Sequence, residues 1–269
     1  MVTASRLRLL AGGLLALWLV LPLVPLVVWS FARGWRFPAL LPQNWTLRAW
    51  QVALSPEGGV LESLWLTMVI AAATTTLATL VGVPAGRALG LHDFRGKGLV
   101  LLLLAAPVIL PAIAVAPGLH GIFLRLGLTG TVWGVILAHL VPVIPYMTLI
   151  MASVFAGFDR VHEDQARSLG ARPWAVWRHV TLPAILPGLL TGALFAFLVS
   201  WSQYLLTLSI GGGRVQTLPL TLFAYASAGR NDLAGAIAIL YILPGVLILL
   251  ITARRVTGRH PAMTGGAVR

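Results

Sequence analysis

The chain has 269 residues, of which 58% are apolar and only 10% charged, with a formal net charge of +12 and no cysteine. A mean hydropathy of +0.92 lies outside the range of soluble globular domains. This composition excludes a soluble domain, and the missing cysteines exclude a disulfide framework, thiol chemistry and cysteine-based metal sites.

An apolar run of about 20 residues crosses a bilayer as a helix. Six such runs occur, at roughly 8–32, 60–84, 99–118, 131–156, 184–209 and 233–253. They are continuous, whereas spanning strands would alternate, and a helix satisfies its backbone without water. The sequence therefore predicts an all-α polytopic membrane protein of six transmembrane helices, one transmembrane domain over residues 1–269.

In chain order, Arg6 and Arg8 precede an apolar run that could suit a secretory signal. The run from Leu9 to Phe31 is longer than the roughly 7–15 residues of a signal core, so it is read as a retained first helix bent at Pro22 and Pro25. Residues 33–59 form the longest extramembrane piece, and Trp29, Trp35, Trp45 and Trp50 are expected at the outer interface. Residues 85–98, with Arg87, His92, Asp93, Arg95 and Lys97, read as a short inside turn. Pro107, Pro111 and Pro117 punctuate the third run and Pro142 and Pro145 the fourth, and each is expected to bend or break its helix. The basic, glycine-rich tail from residue 254 reads as disordered.

Placing the N-terminus inside puts 13 of the 19 basic residues on the cytoplasmic side and 6 outside, so both termini are expected in the cytoplasm. The basic residues are dispersed over short loops, which argues against nucleic-acid binding and for contact with anionic lipid headgroups, each worth about 1 kcal/mol.

Motif chemistry is sparse. His162-Glu163 opens like H-E-x-x-H, but Ala166 stands at the second histidine position, so no zinc pair forms. Gly96-Lys97-Gly98 lacks both the following Ser/Thr and the earlier glycine of a phosphate loop. No nucleophile elbow or placed triad appears, and no catalytic residue, metal site or cofactor is expected. Polar residues within spans remain as candidates for a substrate pathway: His139 in the fourth, and Ser200, Trp201, Ser202, Gln203 and Tyr204 in the fifth. For His139 the balance favours interhelical hydrogen bonding; for the cluster around Gln203 it favours a substrate route.

Charge collects in one loop, residues 157–183, with Glu163, Asp164, Arg167, Arg172, Arg178 and His179. The spacing Asp164-Gln165-Ala166, three residues, Gly170, nine residues, Val180-Thr181-Leu182-Pro183 resembles the EAA signature (E-A-A, x3, G, x9, I-x-L-P) of bacterial ABC-importer permeases. Departures are Asp164 for Glu, Gln165 for Ala and Val180 for Ile. The segment Ser200-Trp201-Ser202-Gln203-Tyr204 with Gly211 to Leu220 is similar to the polyamine, thiamine and ferric-ion branch, although the polyamine members carry acidic residues where Ser202 and Gln203 stand.

The resemblance implies a type I importer permease in the bacterial inner membrane, without its own ATPase site. Its implied partners are a cytoplasmic ATP-binding subunit dimer, a second permease subunit (homologous or identical), a periplasmic or lipid-anchored substrate-binding protein and membrane lipids. It also implies that the loop folds as two short helices, 159–169 and 173–179, that dock on the ATPase. Gly170 would supply the turn, Pro173 the second helix start, and Trp174 and Trp177 an apolar contact. The implied coupling residues are Glu163, Asp164, Gln165, Ala166, Gly170, Trp174, Trp177, Val180, Leu182 and Pro183. Arg167, Arg172 and Arg178 would pair with ATPase carboxylates. A secondary transporter or channel is the alternative, but it should show inverted repeats or intramembrane charges, and neither is visible.

Overall fold

The computed structural model describes residues 10–15, 17, 18, 20–35 and 38–257, with side chains to residue 250. The expectations for Arg6, Arg8 and the tail beyond residue 257 lie outside the described residues, and the first apolar run lies only partly within them. The described helices are α1 (Leu23–Ser30), α2 (Arg48–Leu54), α3 (Val60–Leu91), α4 (Lys97–Ile109), α5 (Ala112–Arg125), α6 (Val132–Ala156), α7 (Val161–Ser168), α8 (Pro173–Val176), α9 (Leu182–Trp201), α10 (Leu205–Gly211), α11 (Leu218–Ser227) and α12 (Asn231–Thr257). A π-helical turn, Trp177–Thr181, joins α8 to α9. The only extended pairing among the described residues is an isolated bridge between Ala32 and Trp45.

Among the described residues, four stretches are long and apolar enough to cross a membrane: Val60–Leu91, Val132–Ala156, Pro173–Trp201 and Asn231–Leu250. A fifth candidate is the pair α4 and α5, bent by 103°. The third expected run is thus broken, and only one of its three prolines marks the break. Pro111 is the N-cap of α5, and Leu110 before it is extended, as a residue preceding proline favours. Pro107 and Pro117 sit inside helices. The fourth run is not broken: α6 continues through Pro142 and Pro145. In a membrane helix, neighbouring helices and local adjustment re-satisfy the carbonyls that prolines leave without a donor.

The chain divides into two compact units. One comprises Met1–Trp65 with Thr217–Pro244, the other Leu66–Gln216 with Gly245–Arg269. In the first, Ala49 and Ala53 of α2 pack with Val60, Leu218, Leu233, Ala236 and Ile237. The Ser63 and Thr221 hydroxyls lie 2.9 Å apart. A Cβ at Gly235 would stand 2.6 Å from the Leu26 carbonyl oxygen, so α12 and α1 meet backbone to backbone.

In the second unit, α6 packs closely against both α3 and α9. Gly82, Gly86 and Gly90 of α3, spaced by four, let that helix lie directly on Met147, Met151 and Phe155 of α6, also spaced by four. On α9, Gly188 meets Val154 and Gly192 meets Met147. Val143, Met147, Met151 and Phe155 are fully buried as a result.

Candidate functional site

The charged loop does fold as two short helices, α7 and α8, shorter than the resemblance implied. Gly170 between them has φ 84°, and nothing lies within 4 Å of where its Cβ would be, so the glycine is required by backbone conformation rather than by space. Pro173 opens α8 with Arg172 as N-cap. Asp164, Gln165, Gly170, Trp174 and Pro183 are exposed, while Ala166, Trp177, Val180 and Leu182 are half-buried. Trp174 is 68% exposed, whereas Trp177 is half-buried and packs on the cluster around Phe155 and Ile185. Leu169, which the sequence did not single out, is 89% exposed beside Gly170. A cavity of about 680 Å³ lined by Val154, Phe158, His162, His179 and Pro183 opens at the root of the loop.

Glu163 turns inward. It is 1% exposed, and both its oxygens receive the Arg87 guanidinium, Nη1 to Oε1 at 2.9 Å and Nη2 to Oε2 at 2.7 Å. The Thr181 hydroxyl donates to Oε1 at 2.5 Å and Arg167 Nη2 to Oε2 at 3.3 Å. Arg167 also reaches Asp164 at 3.3 Å, so the basic residue expected to meet a partner's carboxylate already serves two of its own. Arg87 is not in a turn. Helix α3 runs on to Leu91, and the guanidinium sits 5.6 Å from the centroid of the Phe155 ring.

Arg87 holds the Glu163 carboxyl below its ordinary value of 4.5, helped by Thr181 and Arg167 against burial, which pushes it up. A carboxylate with a depressed folded pKa contributes stability that is complete above its unfolded value and is lost as pH falls through the folded one. Melting of the purified protein should therefore be insensitive to this group at neutral pH and lose its contribution only in acid below 4.5. Glu163→Gln should flatten that acid limb; an unchanged limb in the variant would assign it to another group.

The intramembrane candidates separate into two sets. His139, Ser200 and Trp201 are 1%, 2% and 3% exposed, enclosed by this chain alone. His139 Nδ1 lies 2.9 Å from Ser200 Oγ and Nε2 2.9 Å from Thr207 Oγ1. The Thr207 hydroxyl donates its only proton to the Gln203 carbonyl at 2.9 Å. It therefore accepts from the ring, which places the imidazole proton on Nε2 and leaves Nδ1 to accept from Ser200. Trp201 stacks on Phe197, ring centroids 5.5 Å apart. Ser202, Gln203 and Tyr204 occupy the break between α9 and α10, with Ser202 exposed and the other two half-buried. The expected fifth run is thus two helices, and its polar residues cluster where the helix stops.

Sequence reading missed Arg87, Thr181, Leu169 and the glycine stripe. The G-x-x-x-G-x-x-x-G spacing of Gly82, Gly86 and Gly90 was legible and would have placed a helix past residue 84. Arg87, one residue after Gly86, would then have fallen on that helix.

Long apolar helices, a clamped polar loop and a broken span define a polytopic helical membrane protein. The chain belongs to the family described as binding-protein-dependent transport system inner membrane component, which it matches over residues 82–259. It is 28% identical over 246 residues to the spermidine/putrescine transport system permease protein PotC of Escherichia coli K12, covering 90% of this chain and 92% of the relative. It is 33% identical over 222 residues to the molybdenum transport system permease protein ModB of Mycobacterium tuberculosis, covering 76% and 81%. Its fold is similar to a bacterial ABC transporter for alginate import, with a TM-score of 0.68 at 18% identity over 94% of this chain and 96% of that one. A similar match is the MetNI methionine ABC transporter, with a TM-score of 0.58 at 18% identity over 74% and 94%. The protein is a multi-pass inner-membrane permease component of the ABC-importer class.

Proposed function

We propose that this chain forms the substrate pathway of an ATP-driven importer and couples ATP hydrolysis by a separate ATPase dimer to uptake of a small solute. The observation that carries the reading is an apolar tip on a polar loop: Leu169 is 89% and Trp174 68% exposed on either side of the Gly170 turn. Large apolar side chains at the tip of a short, anchored polar loop mark a surface that a partner covers. Six membrane crossings with both termini inside would put that tip in the cytoplasm, where an ATPase works. A second permease subunit and a substrate-binding protein complete the assembly, in keeping with the alginate transporter structure solved in complex with its periplasmic protein.

The accessible residues of the fifth-span break, Ser202, Gln203 and Tyr204, are the candidate cargo contacts. They are uncharged, and the seven acidic residues of the chain (57, 62, 93, 159, 163, 164 and 232) lie in loops or first helical turns. A polyamine would gain from a carboxylate in a low-dielectric route. The cargo is one of the solutes handled by this branch, a polyamine, thiamine, ferric ion or similar, and its selection rests mainly on the binding protein.

Affinity capture tests the reading. The purified chain should retain an ATPase from its host membrane. Leu169→Asp combined with Trp174→Ala should weaken that capture by roughly 30-fold, the effect of losing about 2 kcal/mol at an interface anchor. Capture of no ATPase by the parent chain would point to a transporter that works without one, and undiminished capture by the variant would place the ATPase contact elsewhere than this tip.

A further inference from the structure

We propose that Arg87 is a positioning residue of the transport cycle: through its two-point bond to Glu163 it makes α3 and the loop helix α7 move as one body. The inference rests on the coupling role proposed for the loop. Without the bond, α7 keeps its short non-helical connectors, residues 157–160 and 169–172, and the Thr181 hydrogen bond to the π turn, but loses its ion pair to α3, so a push at the tip would no longer reach that helix directly.

The geometry suits transmission better than adhesion. A guanidinium fork on both oxygens of a carboxylate restricts orientation as well as distance, which a single contact does not. The Glu163 carboxylate receives four donors, two on each oxygen, so its acceptor capacity is taken up within the chain and it does not itself grip a partner. Thr181 brings the π turn that leads into α9 to the same point, and Phe155 brings the end of α6. Four elements therefore meet at one charge pair. Gly86 and Gly90 flank Arg87 and leave no slack between α3 and α6, because a Cβ at either would lie 2.5 Å from atoms of α6. A buried ion pair is a poor device for stability alone, since apolar residues of similar volume often serve as well. It is a good device for fixing direction.

The chain's lack of cysteine permits a direct test in the full complex with its ATPase. Spin labels are placed on Ala88→Cys in α3 and Ser168→Cys in α7, both exposed. Their separation is measured by pulsed electron paramagnetic resonance without nucleotide and with ATP and vanadate. With Arg87 and Glu163 intact, the distance distribution stays the same in both states. In Arg87→Met the fixed distance is lost and the distribution shifts with nucleotide, while ATPase capture persists. Glu163→Gln, nearly isosteric and expected to fold even if Arg87→Met does not, shows the same loss. A nucleotide-independent distribution in Glu163→Gln, with ATPase still bound, overturns this inference alone. Failure of the parent chain to hold any ATPase overturns the coupling role and this inference together.

Discussion

Gly86→Leu should leave almost no folded protein. A Cβ at this position would lie 2.5 Å from Met151 Cβ, 2.8 Å from the Ala152 amide nitrogen and 2.9 Å from the Met151 carbonyl carbon. Two of these neighbours are backbone atoms, so no rotamer change relieves the overlap. Helix α6 cannot retreat either, because Gly188 and Gly192 bring α9 equally close on another side. Separating α3 from α6 would forfeit dispersion contacts along the whole Gly82–Gly86–Gly90 stripe, and packing rather than the hydrophobic effect joins helices in lipid. The cost should exceed about 3 kcal/mol, the upper range for overpacking a close-packed site. Thermal melting in detergent, with the yield of monodisperse protein, measures it. Gly98→Leu is the control, because nothing lies within 4 Å of its Cβ position. If the two variants melt alike, the close approach of α3 and α6 is wrong.

His139→Ala should carry the second largest effect, on the shape of the fifth-span break. The imidazole bridges Ser200 at the end of α9 and Thr207 in α10, and Thr207 in turn holds the Gln203 carbonyl. One ring thus fastens both sides of the gap that contains Ser202, Gln203 and Tyr204. Its removal loses two interhelical hydrogen bonds, worth about 0.6 kcal/mol each in a membrane. It also leaves a cavity where the ring was fully enclosed, for about 2 kcal/mol more by analogy with large-to-small core changes. The total, about 3 kcal/mol, should lower the melting midpoint. Loosening of the break reads out separately as faster maleimide labelling of Ser202→Cys, the only thiol in such a chain. His139→Phe restores volume without the bonds and should recover much of the stability but not the slow labelling. Equal labelling rates in all three backgrounds would mean that the break is held by something other than this ring.

Both sites show where reading the chain reached its limit. The EAA-like spacing located the loop, its glycine turn and its two helices, because these are local matters of backbone conformation and capping. It did not foresee that Glu163 turns inward, that Trp177 packs beside Phe155 and Ile185, or that Arg167, still half exposed, pairs with Glu163 and Asp164. Nothing local distinguishes a carboxylate that faces a partner from one that faces Arg87, 76 residues earlier. Similarly, the polar residues near Gln203 were visible as a group. Only the path of the backbone divides the enclosed His139, Ser200 and Trp201 from the accessible Ser202, Gln203 and Tyr204. The prolines make the same point: Pro111 breaks its span while Pro142 and Pro145 do not, although each lacks the same donor.

By itself, the sequence determined that this is a helical membrane protein, that residues 157–183 form its one concentrated polar loop, and which family that loop belongs to. Those conclusions rest on hydropathy and short-range spacing, which are written along the chain. Tertiary structure alone decided that Arg87 and Glu163 close on each other, that glycines draw α3 onto α6, and that His139 spans the break. Each of these depends on residues far apart in sequence reaching within about 3 to 4 Å, a distance that packing sets and composition does not.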